Sequence, residues 1–144
     1  MPIVEVLTDL STSDAEKISS LMPDVVPQII GDINTNLGKV IANEGSRLIV
    51  AREAQNAQLI GFLVLNLLPK VTGLEGRIND FVVEERERRK GVGTSLLQAA
   101  FKEAQSSGAY KVEVAVSSKN TPANLLHESL LGELTDKGVY RIYL

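Results

Sequence analysis

The chain has 144 residues, 44% hydrophobic and 23% charged, with a formal net charge of −3. That size suits one domain with one core, and the composition is that of a soluble globular chain, not a disordered one. The mild acidity gives no support to general nucleic-acid binding. The absence of cysteine excludes disulfides, thiolate nucleophiles and cysteine-ligated metals. No apolar run approaches the roughly 20 residues of a membrane span. Met1-Pro2-Ile3-Val4-Glu5 lacks the basic n-region of a secretory signal. The expectation is therefore one domain over 1–144, cytoplasmic, with no membrane or nucleic-acid partner.

In chain order, residues 1–8 alternate weakly through Ile3, Val4, Val6 and Leu7 and read as a short strand. Ser11 or Ser13 is placed to cap a helix over Asp14 to Leu21. Pro23 and Pro27 interrupt it. A second helix is expected over about Val26 to Asn43, although Gly31 and Gly38 weaken its interior. Arg47 to Arg52 reads as a strand, Gln55 to Gln58 as a turn, and Leu59 to Leu68 as a longer buried strand ending at Pro69. Lys70 to Gly76 reads as a glycine-containing connection before a strand over Ile78 to Val83. A helix from Thr94 to about Ser107 lines up Leu96, Leu97, Ala100, Phe101 and Ala104, and Gly108 ends it. Lys111 to Val116 alternates as a half-buried strand. Thr121 caps a further helix to about Leu131, with Pro122 in its first turn. Val139 to Leu144 closes the chain as a strand. Interleaved strands and helices of this kind give an α/β (α+β) fold, a mixed sheet with helices on its faces.

The most informative stretch runs from Val82 to Leu97. An apolar strand passes through a basic turn with two glycines, Arg88-Arg89-Lys90-Gly91-Val92-Gly93, into the helix at Thr94. Glycines let a backbone approach a phosphate closely. The first N–H groups of a helix lack partners and face its positive dipole end, which favours an anion there. Arg88, Arg89 and Lys90 add full charges. The competing reading is a solvated loop whose arginines pair with the interleaved Glu84, Glu85 and Glu87.

These residues resemble the (Arg/Gln)-x-x-Gly-x-(Gly/Ala) loop of the GNAT family of N-acetyltransferases. Ile78-Asn79-Asp80-Phe81-Val82-Val83 is similar to that family's central strand, and Asn120-x-x-Ala123-x-x-Leu126-His127 to its later helix. The resemblance covers nearly the whole chain, less specifically in the N-terminal half, and implies a largely antiparallel central sheet flanked by helices. It also implies an enzyme that transfers acetyl from acetyl-CoA, as co-substrate and without a metal, directly to an amine of a small molecule or peptide. Homodimerisation through strand edges is the family habit.

Residue by residue, the resemblance assigns the diphosphate of acetyl-CoA to Arg88, Arg89, Lys90, Gly91, Val92, Gly93 and Thr94. Backbone groups of Phe81, Val82 and Val83 would pair with the pantetheine arm as an added strand does. The Val83 N–H, splayed by a bulge, would meet the developing oxyanion. Asp80 is the favoured general base, directly or through a water, against the alternative of a structural carboxylate. Glu84 and Glu85, beside arginines, are weaker candidates.

His127, the only histidine, stands where many members have tyrosine. It is either the acid that protonates the leaving thiolate or a packing histidine, and with no second histidine or cysteine it is not a metal site. Asn120 and Asn124 are candidates for the pantetheine and sulfur region, with Asn120 alternatively a helix cap. Leu131-Gly132-Glu133 replaces the family's Gly-Phe pair. Two rival functions follow: an acyl-CoA-binding regulatory module that has lost the chemistry, and a nucleotide-binding module. The latter is disfavoured because Gly91-Val92-Gly93-Thr94 lacks the Lys-Ser/Thr ending of a P-loop.

Overall fold

The computed structural model describes residues 2–22, 29–115, 133–134 and 139–144. The elements are β1 (Ile3–Leu7), α1 (Thr12–Leu21), α2 (Ile33–Ala42), β2 (Ser46–Arg52), β3 (Leu59–Lys70), β4 (Gly73–Val83), α3 (Val92–Ser106), β5 (Lys111–Ala115), β6 (Glu133–Leu134) and β7 (Val139–Tyr143). One sheet runs β1-β2-β3-β4-β5-β7-β6. Every neighbouring pair is antiparallel except β4–β5, which is parallel and joined by α3. A parallel neighbour requires a crossover, and α3 supplies it.

Alternation along the strands builds two cores. Leu48, Val50, Leu59, Phe62, Val64 and Val82 face α1 and α2, meeting Ile18, Leu21 and Leu37. Ile49, Ala51, Ile60, Leu63, Leu65, Ile78, Val112 and Val114 face α3, meeting Val92, Leu96, Leu97, Ala100 and Ala104. Strands buried on both faces lose the simple in–out pattern, so β3 reads as the near-continuous run Leu59-Ile60-Gly61-Phe62-Leu63-Val64-Leu65. Leu96 and Leu97 have no exposed surface, and each such burial contributes roughly 1.5–3 kcal/mol.

Helix α3 lies close against the sheet because glycines face it. A Cβ on Gly61 would come 3.0 Å from the Val82 carbonyl, 3.2 Å from Leu96 and 3.4 Å from Val92. A Cβ on Gly76 would meet Leu65 and Val112 at 3.2 Å and Ala104 at 3.5 Å. Helix α1 is fixed differently. Arg52 at the end of β2 grips Asp14 with two hydrogen bonds, 2.8 and 2.7 Å, and also reaches Glu5 at 2.8 Å.

Several boundaries differ from the sequence expectation. Helix α2 begins at Ile33, not near Val26. Gly31 takes φ +80°, and the Asp32 side chain then accepts from the Thr35 N–H as the cap. Of the two serines before α1, Ser11 is the cap. Strand β3 continues through Pro69 to Lys70, and β4 starts at Gly73, so Val71 and Thr72 alone make the turn where a seven-residue connection was expected. Helix α3 starts two residues early, at Val92, and ends as read: Gly108 at φ +94° follows it, and the Ala109 N–H bonds the Ala104 carbonyl. Strand β6 had no sequence signal. The helix expected after Thr121 lies outside the described residues.

Gly61→Ala should destabilise the fold by about 1–3 kcal/mol through overpacking. Gly38→Ala, in α2 with no atom within 4 Å of the added Cβ, should stabilise it by about 0.4–1 kcal/mol. Urea unfolding of the two variants checks the opposite signs.

Candidate active site

Strand β4 serves two neighbours, and it leaves one of them halfway. It pairs with β5 only over Glu75–Ile78 against Lys111–Val114. On its other side the β3 register jumps, with Val64 opposite Asn79 but Phe62 opposite Val82. Two steps of β3 thus face three of β4, which is a β-bulge at Asp80–Phe81. Asp80 takes φ +53°, a left-handed conformation that Asp tolerates better than most side chains.

The bulge decides which backbone groups face outward. The Glu84 N–H donates to the Ile60 carbonyl at 2.9 Å. Antiparallel ladders alternate, so Val82 also turns its N–H and C=O to β3, and Val83 turns both away, toward the side that β5 has left. This corrects two expectations. Val82 is engaged with Phe62 and buried in the core, so its backbone is not open to a ligand. The Val83 N–H does face outward, but the bulge responsible lies upstream of it, at Asp80–Phe81, while Val83 itself is in register with Gly61. Phe81 packs against the α3-side core.

Beyond Val83, Glu85–Glu87 form a single 3-10 turn and the basic loop follows. Arg89 takes φ +65° and Gly91 φ +83°. A Cβ built on Gly91 meets no atom within 4 Å, so this backbone faces open space. Helix α3 starts from Gly91 with no side-chain cap, whereas α1 and α2 are capped by Ser11 and Asp32. Its first intrahelical bond is from the Ser95 N–H to the Gly91 carbonyl at 3.0 Å. The N–H groups of Val92, Gly93 and Thr94 therefore lack protein acceptors among the described residues. Open space, uncapped donors and the helix dipole together fit a diphosphate.

The charges of the loop divide. Arg86 pairs with Glu84 at 3.3 Å and Lys90 with Glu87 at 3.5 Å. Arg88 donates to the Val83 carbonyl at 3.3 Å, and neither it nor Arg89 has a carboxylate partner among the described residues. The ion-pairing account explains Arg86 and Lys90 and leaves Arg88 and Arg89 without a carboxylate among the described residues. Glu84 also takes Lys17 of α1 at 2.8 Å. Burial works against its charge, but Lys17 and Arg86 outweigh it and hold the carboxyl below its usual range. That makes Glu84 a structural anion tying α1 to the loop. Asp80 behaves oppositely: burial pushes its carboxyl above the ordinary range with no cation to offset it. Its surface stays exposed, so the group remains reachable from solvent.

Sequence reasoning missed the polar relay beside the bulge. The Ser46 hydroxyl donates to Asn66 Oδ1 at 2.8 Å, and Asn66 Nδ2 donates to Asn79 Oδ1 at 3.0 Å. These residues lie 13 to 20 apart in the chain, and no local pattern marks them. Asn120, Asn124 and His127 lie outside the described residues. No cluster of three metal-ligating side chains occurs among the described residues.

The pKa of Asp80 has a stability consequence. A carboxyl raised on folding costs stability once pH exceeds its ordinary range, and the cost is absent below it. Asp80→Asn should thus gain stability relative to the parent at neutral pH, with the gain shrinking toward acid pH. Thermal unfolding across pH 3–8 would show a pH-independent difference if the carboxylate were unstrained.

The sequence model of the acetyltransferase (GNAT) family matches residues 15–132. No curated protein matches the sequence significantly. Among solved structures, an acetyltransferase from Trypanosoma brucei is 23% identical, with a TM-score of 0.74 over 94% of this chain and 95% of that one. A transcriptional regulator from Bacillus halodurans is 16% identical, with a TM-score of 0.82 over 96% and 97%. Glucosamine-6-phosphate N-acetyltransferase from Arabidopsis thaliana is 18% identical, with a TM-score of 0.76 over 94% of each chain. At these identities the structures share the fold. With the family match spanning most of its length, the chain belongs to the acetyltransferase (GNAT) family.

Proposed function

We propose that this protein is an acetyl-CoA-dependent N-acetyltransferase acting by direct transfer to an amine. The observation that carries the reading is the set of uncapped N–H groups at Val92, Gly93 and Thr94, beyond the point at which β4 ceases to pair with β5. Those amides, with Arg88 and Arg89, would hold the diphosphate of the co-substrate, which supplies an activated acetyl thioester. Val83 offers an outward N–H on the neighbouring strand β4, suited to a carbonyl oxygen as it becomes an oxyanion.

In the transfer, the amine nitrogen bonds to the thioester carbon, the C–S bond breaks, and the amine gives up a proton. Asp80 takes that proton directly or through a water, and its raised pKa brings it nearer the working pH of a base. The thiolate leaving group takes a proton in turn. His127 is proposed for that step, with Asn120 and Asn124 beside the pantetheine. A homodimer is proposed as the working form.

Thiol release from acetyl-CoA over a panel of amines, sugars and peptide N-termini tests the activity. Protection by acetyl-CoA with no thiol release on any amine would favour the regulatory reading. Asp80→Asn should lower kcat with little change in the KM for acetyl-CoA, and should remove the fall in rate on the acid side. Unchanged turnover across pH would remove Asp80 from the mechanism.

Gly91→Asp places a side chain at a left-handed position, a strain of roughly 1–2 kcal/mol, and a negative charge where the diphosphate would lie. Like charges brought together cost several kcal/mol, so acetyl-CoA affinity should fall by at least ~10-fold. Calorimetry on the folded variant reads this, and unaltered binding would refute the loop assignment.

A further inference from the structure

The sheet face opposite α3 changes character across its width. Helices α1 and α2 cover it over β2, β3 and the Val82 end of β4. Farther along, strand alternation puts Glu75, Arg77 and Asn79 of β4, Lys111 and Glu113 of β5, and Arg141 and Tyr143 of β7 on that face, because Ile78, Val112, Val114 and Ile142 take the α3 side. The register aligns Asn66, Arg77, Glu113, Arg141 and Glu133 in one row across five strands.

The row is overloaded with cations. Glu113 receives Lys111 at 3.2 Å, Arg141 at 3.4 Å and, at a long 4.0 Å, Arg77. Glu75 receives Lys70 at 2.8 Å and Lys111 at 3.4 Å. Among the residues whose side chains are described, four cations share two carboxylates on this face, and Glu133 of β6 stands opposite Arg141 in the register, so cations outnumber carboxylates four to three in a chain of net charge −3. The Arg77 and Arg141 side chains are 40% and 34% exposed. Each guanidinium presents five donors; Arg141 spends some on Tyr143 and Glu113, and Arg77 meets Glu113 only at that long distance. Asn79 stands one same-face step beyond Arg77, about 7 Å along the strand, with its Oδ1 held by Asn66. Its Nδ2 is left to donate. Asp80 follows directly.

We propose that this face reads the acceptor. The substrate is an amine that also carries a carboxylate or phosphate, with the acid group held by Arg77 and Arg141 and the amine placed at Asp80 by the intervening Asn79. The proposal rests on the transfer reading above for the fate of the amine. Charge complementarity selects this occupant: a cationic or second basic face would add to an uncompensated excess, whereas one acid group completes it.

Two measurements test it, one independent of turnover. In the full chain labelled with 15N, the Nε–Hε signals of Arg77 and Arg141, assigned with Arg77→Lys and Arg141→Lys, are titrated with 2-aminoethyl phosphate, β-alanine and ethanolamine. Saturable shifts with one or both acid-bearing amines, and none with ethanolamine, are expected. Such shifts uphold the face even if no thiol is released, an outcome that would sink only the transfer reading. No saturable shift, or equal shifts with ethanolamine, overturns the proposal even if other amines are acetylated. In turnover, kcat/KM for 2-aminoethyl phosphate or β-alanine should exceed that for ethanolamine by more than ~10-fold. The preference should collapse in Arg77→Gln and Arg141→Gln through KM and not kcat, and Arg77→Lys should restore most of it. A ratio near one in the parent, or an unaltered ratio in both glutamine variants, overturns it.

Discussion

Between Asn79 and Val82, β4 carries one residue more than β3 can pair, at the level where β5 has already left it. Both conditions are needed for Val83 to turn its N–H and C=O away from β3 on the side that β5 has left, where the carbonyl accepts from Arg88. Without the loss of β5, the outward N–H and C=O of Val83 would be ladder groups. Without the extra residue, the alternation beyond Asp80 would be inverted, and Val82 would turn outward in place of Val83. The same bulge holds Asp80 in a left-handed conformation, and burial there disfavours ionisation of its carboxyl. Strain and a raised pKa thus coincide on one residue, a pairing common where structure is arranged for chemistry.

Helix α3 starts beside that edge of β4, with its N-terminus toward it. Its axis is fixed from the sheet side by contacts at Gly61 and Gly76, where no side chain intervenes. Its first turn is left uncapped, unlike those of α1 and α2. A helix held rigidly by Leu96, Leu97, Ala100 and Ala104 can hold unsatisfied donors in place, because packing and not capping supplies its stability.

Electrostatics divides the carboxylates by role. Glu84, Glu75 and Glu113 are each pulled below their usual range by cations that outweigh the cost of burial, so they stay ionised through the neutral range and act as fixed counter-charges. Asp80 has no such cation and moves the other way. On the face opposite α3 the counter-charges among the described residues fall short of the cations around them. In the basic loop they suffice for Arg86 and Lys90 and leave Arg88 and Arg89.

The order of the described elements, the glycine-marked basic loop at 88–94 and the amphipathic stripe of α3 were legible in the chain, because each is a local pattern of period, turn residue or charge. The start of β4 was hidden because Gly76 occupies an inward position where an apolar side chain would have shown the alternation. The start of α2 was hidden because Gly31 and the Asp32 cap reset the helix inside an apolar run. What tertiary structure alone decided was which groups meet and which are left over. The Lys17–Glu84 bridge joins residues 67 apart, and the row from Asn66 to Arg141 exists only once four strands share a register. Register and bulge belong to pairs of strands, so no single stretch of sequence can carry them.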